Sequence, residues 1–219
     1  MPEKTVQKEP GKKPVPSKKP KPQQEVVVQI PLSELHPFPD HPFQVREDAS
    51  MQETAESVKE YGVLVPALAR PREDGGYELI AGHRRKHACE LAGLATMPVI
   101  VRDIDRDAAT IIMVDSNLQR ENILPSERAK AYKMKMEAIK RQGARTDLTS
   151  PKISAKFRSD DEVGQDAGVS GDTIRNYIAL TQLVPELQQM VDEKKIALSP
   201  AYQLSLIHIS EPTRRVVIS

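Results

Sequence analysis

The sequence has no tryptophan, one cysteine (Cys89), three phenylalanines and five tyrosines among its 219 residues. A lone thiol closes no internal disulfide and supplies no zinc set, so disulfide-stapled and thiolate-metal scaffolds are excluded. The reducing cytosol is the expected compartment. Cys89 falls in the apolar pattern of a helix, where a small core residue is the expected role. No apolar run approaches the length that spans a bilayer, so no membrane partner is expected. The Lys- and Pro-rich N-terminus has no apolar segment, so no secretory signal is expected. A charge surplus is missing too: 32 basic against 31 acidic residues leave a net +1. Contact with nucleic acid must then come from local patches rather than from a globally basic surface.

What is there divides into blocks. In residues 1–24 lysines such as Lys12, Lys13, Lys18 and Lys19 alternate with prolines. Such a segment buries too little apolar surface to offset its ordering entropy and is expected to be a disordered basic tail. Val26 to Ile30 is a β-branched run that predicts a strand. Pro31, Pro37, Pro39 and Pro42 predict an irregular loop ending at Gln44-Val45-Arg46. Ala55, Val58 and Tyr61 recur at helical spacing within a helix over 51–61 that Gly62 stops. Strands are expected over 65–70 and 77–80, joined by the turn Asp74-Gly75-Gly76. A helix from His83 to Ala92, a strand from Met97 to Val101 and a helix from Asp105 to Val114 follow. Pro125 suits the first turn of a long helix reaching Gly143. Beyond Asp147 only short helices are signalled. The expected fold class is α+β: a mixed α/β domain over 25–122, then an all-helical domain over 123–203.

Three constellations carry chemistry. Gly82-His83-Arg84-Arg85-Lys86 lies after a strand and opens a helix. Gly82 permits a tight turn and close approach to a ligand. Free N–H groups at the helix start, with the cationic side chains, suit a phosphate. The bland alternative is a basic solvated face, but cations at a helix start oppose the macrodipole, so an anionic ligand is the more informative reading. The second, Asp115 to Asn122, joins the two domains and clusters polar and carboxylate groups of the kind that hold Mg²⁺ beside phosphates; on the residues alone a capped helix end with a linker is the preferred reading. The third, Asp161 to Ile178, has Val163 and Ala167 on one helix face, a turn at Gly168, a plug at Val169, a cap at Ser170, and Ile174 and Ile178 facing inward. That is a helix-turn-helix pattern. Its second helix exposes Asp172, Thr173, Arg175 and Asn176, and Arg and Asn pair bidentately with guanine and adenine edges.

In this order the three motifs resemble the ParB family of plasmid and chromosome partition proteins, of the ParB/RepB-like kind with a KorB-like helix-turn-helix, over residues 26–203. Gln44 and Arg46 resemble the family's first nucleotide motif. Gly82-His83-Arg84-Arg85 resembles its Gly-Glu-Arg-Arg motif. Asn117-Leu118-Gln119-Arg120, with Leu124-Pro125-Ser126-Glu127, resembles the third. The run from Met113 through Met136 is most similar to versions found on mobile elements of Gram-positive bacteria. The resemblance implies a ParB- and sulfiredoxin-like nucleotide-binding domain that takes CTP with Mg²⁺. It further implies a homodimer that closes as a clamp on double-stranded DNA, a ParA-type ATPase partner, and a cytoplasmic, nucleoid-associated protein. Gly82, Arg84 and Arg85 would cradle the triphosphate, among Gln44, Arg46, His83, Gln119 and Arg120, and Asn117 would help hold the metal. Ser170, Asp172, Thr173, Arg175 and Asn176 would face DNA. Two positions depart from the pattern. His83 replaces the usual Glu. Ser116 replaces the Glu before Asn117, and a hydroxyl is a weaker Mg²⁺ ligand and no base near neutral pH. Asp115 compensates only if its side chain points the same way, so binding of CTP is implied and hydrolysis is not.

Residues 204–214 match the in-frame translation of a common transposon-based sequencing adapter. Residues 204–219 are therefore expected to be a non-native tail and the natural protein to be longer. Two other functions remain open: a ParB-like nuclease, which needs a carboxylate cluster for metal-assisted hydrolysis, and a helix-turn-helix regulator whose nucleotide domain no longer works.

Overall fold

The computed structural model describes residues 26–120, 122–147, 163–165 and 167–210. Strand β1 (Val27–Pro31) leads through a single 3₁₀ turn into β2 (Leu35–Pro37). Helix α1 (Ala49–Tyr61), β3 (Ala67–Pro71), β4 (Tyr77–Ala81), α2 (His83–Leu91), β5 (Thr96–Val101) and α3 (Arg106–Leu118) complete the α/β half. The strands form one mixed sheet in the order β1-β5-β3-β4-β2. The β1–β5 and β3–β4 pairs are antiparallel, the β3–β5 and β2–β4 pairs parallel.

Both faces of this sheet are covered, and β4 shows how. Successive side chains of a strand point to opposite faces. Leu79 joins Met51, Val58 and Cys89 in a core under α1 and α2. Ile80 joins Phe38, Ala109 and Met113 in a second core under α3 and α4 (Pro125–Asp147). Cys89 is fully buried, and burial pushes its thiol pKa up, as expected for an inert core residue.

Helix α4 belongs to both halves. Its Ala131 packs in the core beneath α3, whereas Ala129 and Tyr132 pack against the helices that follow. Those are α5 (Gly171–Ala179), α6 (Pro185–Asp192) and α7 (Leu198–Ser210). Ahead of α5, residues 163–165 and 167 are helical.

The mixed α/β domain followed by helices is as expected, with local differences. The Pro-rich loop hides β2, because parallel pairing with β4 and burial of Leu35 outweigh the prolines; Pro37 sits on an edge strand, which tolerates a missing N–H. Strand β3 starts at Ala67, two residues later than expected, because Val65 lies exposed in the preceding loop. Helix α3 continues four residues past Val114, because Asn117 is buried four residues after Met113 and extends the same face. Asp115, Ser116 and Asn117 therefore occupy the last turn of a helix, in keeping with the helix-end reading of this segment. The expectations for residues 1–24, for Asp161 and for the segment ahead of Val163 lie outside the described residues. So does 211–219, while Leu204–Ser210 continue α7 with Ser205 buried. Among the described residues no helix is long and apolar enough to cross a membrane.

Candidate nucleotide cleft and nucleic-acid interface

The strand β4 delivers the chain to Gly82 at φ +111, a left-handed conformation that L side chains rarely adopt. A Cβ there would stand 2.8 Å from the Cβ of Ala67 on β3. Glycine is thus required for packing strand against helix as well as for the turn, and α2 starts immediately after it. Helix α1 starts nearby, capped by Asp48, whose Oδ1 accepts from Met51 N at 2.9 Å.

Between these helix starts, the end of α3 and the start of α4 lies a cleft of about 620 Å³. Arg46, Arg84 and Arg120 line it, with Gln44 and Gln119 beside them. Five of the expected residues, drawn from three separate stretches of chain, therefore meet here. Arg84 donates to Ser50 Oγ at 3.2 Å and stands 3.8 Å from Asp48 Oδ1. Glu127 braces the opposite wall: its carboxylate accepts from Gln44 N at 3.1 Å and from Leu124 N at 3.3 Å. The Arg120 pKa is lowered, first by burial and then by the charge of Arg84, with Glu127 opposing. Arginines gathered against their own repulsion, beside helix N-termini, make a site that favours an anion.

Other expected residues stand elsewhere. The Arg85 guanidinium donates to the carbonyls of Val65 and Pro66 at 2.5 and 2.6 Å, tying down the loop before β3. His83 stacks on His41, with ring centroids 4.0 Å apart and planes at 45°. Its pKa is lowered to about 3, by burial first and then by His41, Arg120 and Lys86. Asn117 is 3% exposed and donates to the Met113 carbonyl at 2.8 Å. Ser116 Oγ donates to that same carbonyl at 2.9 Å. Asp115 is held at 2.6 Å by Lys135 Nζ, itself 1% exposed, so its carboxylate turns toward α4. Motif reading missed Asp48, Ser50 and His41. An Asp three residues before a helical Met is a legible cap signal; His41 carries none.

The turn and second helix of the expected helix-turn-helix lie within the described residues. Val169 N donates to Gly164 O at 2.9 Å, and a Cβ on Gly164 would come 2.6 Å from the Val169 carbonyl. Gly168 adopts φ +68. Ser170 caps α5, its hydroxyl accepting from Thr173 N at 3.2 Å. Ile174 is buried with Tyr132 and Val163. Asp172 and Arg175 are exposed and hydrogen-bonded to each other, and Thr173 and Asn176 are half-buried on the same helix.

The ParB N-terminal domain family matches residues 16–118. The chromosome-partitioning protein Spo0J of Thermus thermophilus is 35% identical over 191 residues, covering 87% of this chain and 62% of that protein. This chain spans about half the length of several other curated relatives. The crystal structure of C-terminally truncated ParB from Caulobacter crescentus, complexed to the centromeric parS site, aligns with TM-score 0.53 and 26% identity. That alignment covers 81% of this chain and 84% of the other. A Pnob8-like ParB-N domain aligns with TM-score 0.56 at 18% identity, covering 84% and 80% respectively, and bears on the fold alone.

Proposed function

Since residues 16–118 match the ParB N-terminal domain family, we propose that this chain is a member of that family, a centromere-binding partition protein switched by CTP. What carries the reading is the basic cleft, which gathers Gln44, Arg46, Arg84, Gln119 and Arg120 from three distant motifs. Its volume, its arginines and the two helix starts suit a nucleoside triphosphate. Mg²⁺ would neutralise phosphate charge there. Among the described residues no group of three or more His, Cys, Asp or Glu side chains gathers to hold a metal. Phosphate oxygens and water would supply most of its coordination; Asn117, which the resemblance offers as a ligand, is buried outside the cleft lining and would have to turn to reach it. With Ser116 lacking a carboxylate and Asp115 held by Lys135, hydrolysis is expected to be slow.

The relative from Caulobacter crescentus was solved on parS DNA. By analogy, α5 would enter the major groove of double-stranded DNA, with Arg175 and Asn176 at base edges and Ser170, Asp172 and Thr173 at the helix start. A homodimer, a ParA-type ATPase partner and a nucleoid-associated cytoplasmic location belong to the same proposal.

Two measurements test it. Calorimetry with CTP against ATP, GTP and UTP should show binding of CTP in preference. Anisotropy with centromere-like and scrambled duplexes should show preference for the former. Equal, negligible affinity for all four nucleotides would reduce the cleft to a scaffold. Equal affinity for both duplexes would remove the centromere function.

A further inference from the structure

Beside the cleft two imidazoles lie in tilted contact, each with an unpartnered Nε2. His41 lies on the loop after β2, and His83 is the first residue of α2. The Nδ1 of His41 stands 2.7 Å from the carbonyl of Phe43, a cleft-lining residue. A carbonyl only accepts, so Nδ1 carries the proton, and in neutral His41 the Nε2 is a bare lone pair. The Nε2 atoms of both rings are buried and have no hydrogen-bond partner. Buried polar atoms are normally satisfied, so two such atoms facing one stack are an unusual arrangement to keep.

We propose that the His41–His83 pair is the proton-coupled part of the nucleotide cleft: neutral without ligand, it takes up one proton from solvent when a polyphosphate enters. The inference rests on the reading of the cleft as a triphosphate site. The charged groups that act on the pair come from each element around it. Arg120, after α3, and Lys86, on α2, oppose protonation of His83, and Arg120 opposes that of His41. Glu127, on α4, favours protonation of His41. Burial opposes it in both rings. A polyphosphate lying against Arg84 and Arg120 cancels the cationic field and leaves Glu127 acting in the same sense as the ligand. The bare Nε2 of His41, and the ring of His83 against it, then gain proton affinity. In chemical terms, the imidazole at position 83 gives the site a titratable base at a position where a Glu would present a fixed negative charge.

Linkage fixes the sign. A ligand that raises the proton affinity of a group binds more tightly when that group is protonated, so CTP affinity should strengthen as pH falls. One proton permits at most about tenfold per pH unit. The experiment is CTP calorimetry on the full 219-residue chain between about pH 6 and pH 8, in buffers of different ionisation enthalpy, which count protons taken up directly. The double substitution His41→Gln with His83→Gln removes both titratable rings, and it also corrects for titration of the nucleotide, which is common to both proteins. Imidazole Cε1–H shifts of the wild type, with and without CTP, give the same answer without any substitution. Uptake of a proton by the wild type beyond that of the variant, with the His41 or His83 resonance moving to its protonated position, is the expected result. Binding of CTP with both rings remaining neutral would overturn the proposal and leave the nucleotide reading standing. No CTP binding at any pH would overturn both.

Discussion

Arg84 and Arg85 are adjacent in the chain and meet different surroundings. Arg84 faces the cleft, whereas Arg85 is spent on two backbone carbonyls before β3. Arg84→Ala should weaken CTP binding by about 1.5–3 kcal/mol, the range for a hydrogen bond to a charged group, with little change in melting temperature. Arg85→Ala should do the reverse, lowering stability by about 1 kcal/mol through the loss of two hydrogen bonds, one of them solvent-exposed. Thermal melts and calorimetry on both variants separate the two roles. His83 makes a prediction about pH. Its folded pKa is about 3, below an ordinary 6.5, so the unfolded chain binds the proton first as pH falls. Its effect should be absent above pH 6.5, with stability lost progressively from there toward about 3. Denaturant midpoints across that window should fall less steeply for His83→Gln. An equal slope in both proteins would remove His83 from the account. Motif spelling brought out Arg84, Arg46 and Gly82. It did not bring out Glu127 as the brace of Gln44, because that contact joins positions 83 residues apart, nor the turn of Arg85 away from the cleft, because side-chain direction depends on the loop at Val65.

At the scale of elements, α5 has its inward face fixed by Ile174 and its start fixed by the Ser170 cap. Its outward face holds Arg175 paired with Asp172. Exchange of that partner for a guanine edge keeps the guanidinium hydrogen-bonded in both states. Arg175→Ala should therefore cost about 1–3 kcal/mol for the specific duplex and little for random sequence. Anisotropy with both duplexes checks it, and an unchanged ratio would exclude Arg175 from base readout. This hairpin was the element most legible beforehand, since Gly168, Val169 and Ser170 each have a local reason. The strand β2 was least legible. Its three residues pair with β4 from inside a proline-rich run, and only tertiary contact makes them a strand.

The whole molecule turns on α4, whose Ala131 lies in one core and whose Ala129 and Tyr132 lie in others. A division at residue 122 separates two patterns in the sequence but cuts between elements that share this helix. Helix periodicity cannot reveal which neighbours its several faces meet. Truncation of the buried ring in Tyr132→Ala should cost about 3 kcal/mol or more. The loss should appear in the far-UV midpoint for the whole chain rather than as a separate early transition. Two resolved transitions would show that the halves melt independently.

Cys89 offers a clock for such openings. It is the chain's only thiol, and it is sealed between the sheet and the same helix that carries Arg84. A thiol reagent reaches it only in molecules whose α2 has lifted away, so the labelling rate reads out how often that happens. A ligand held by Arg84 that does not bind the opened form should slow that clock by the factor 1 + [L]/Kd, and nucleotide affinity could then be read from a single sulfur without any reporter being introduced.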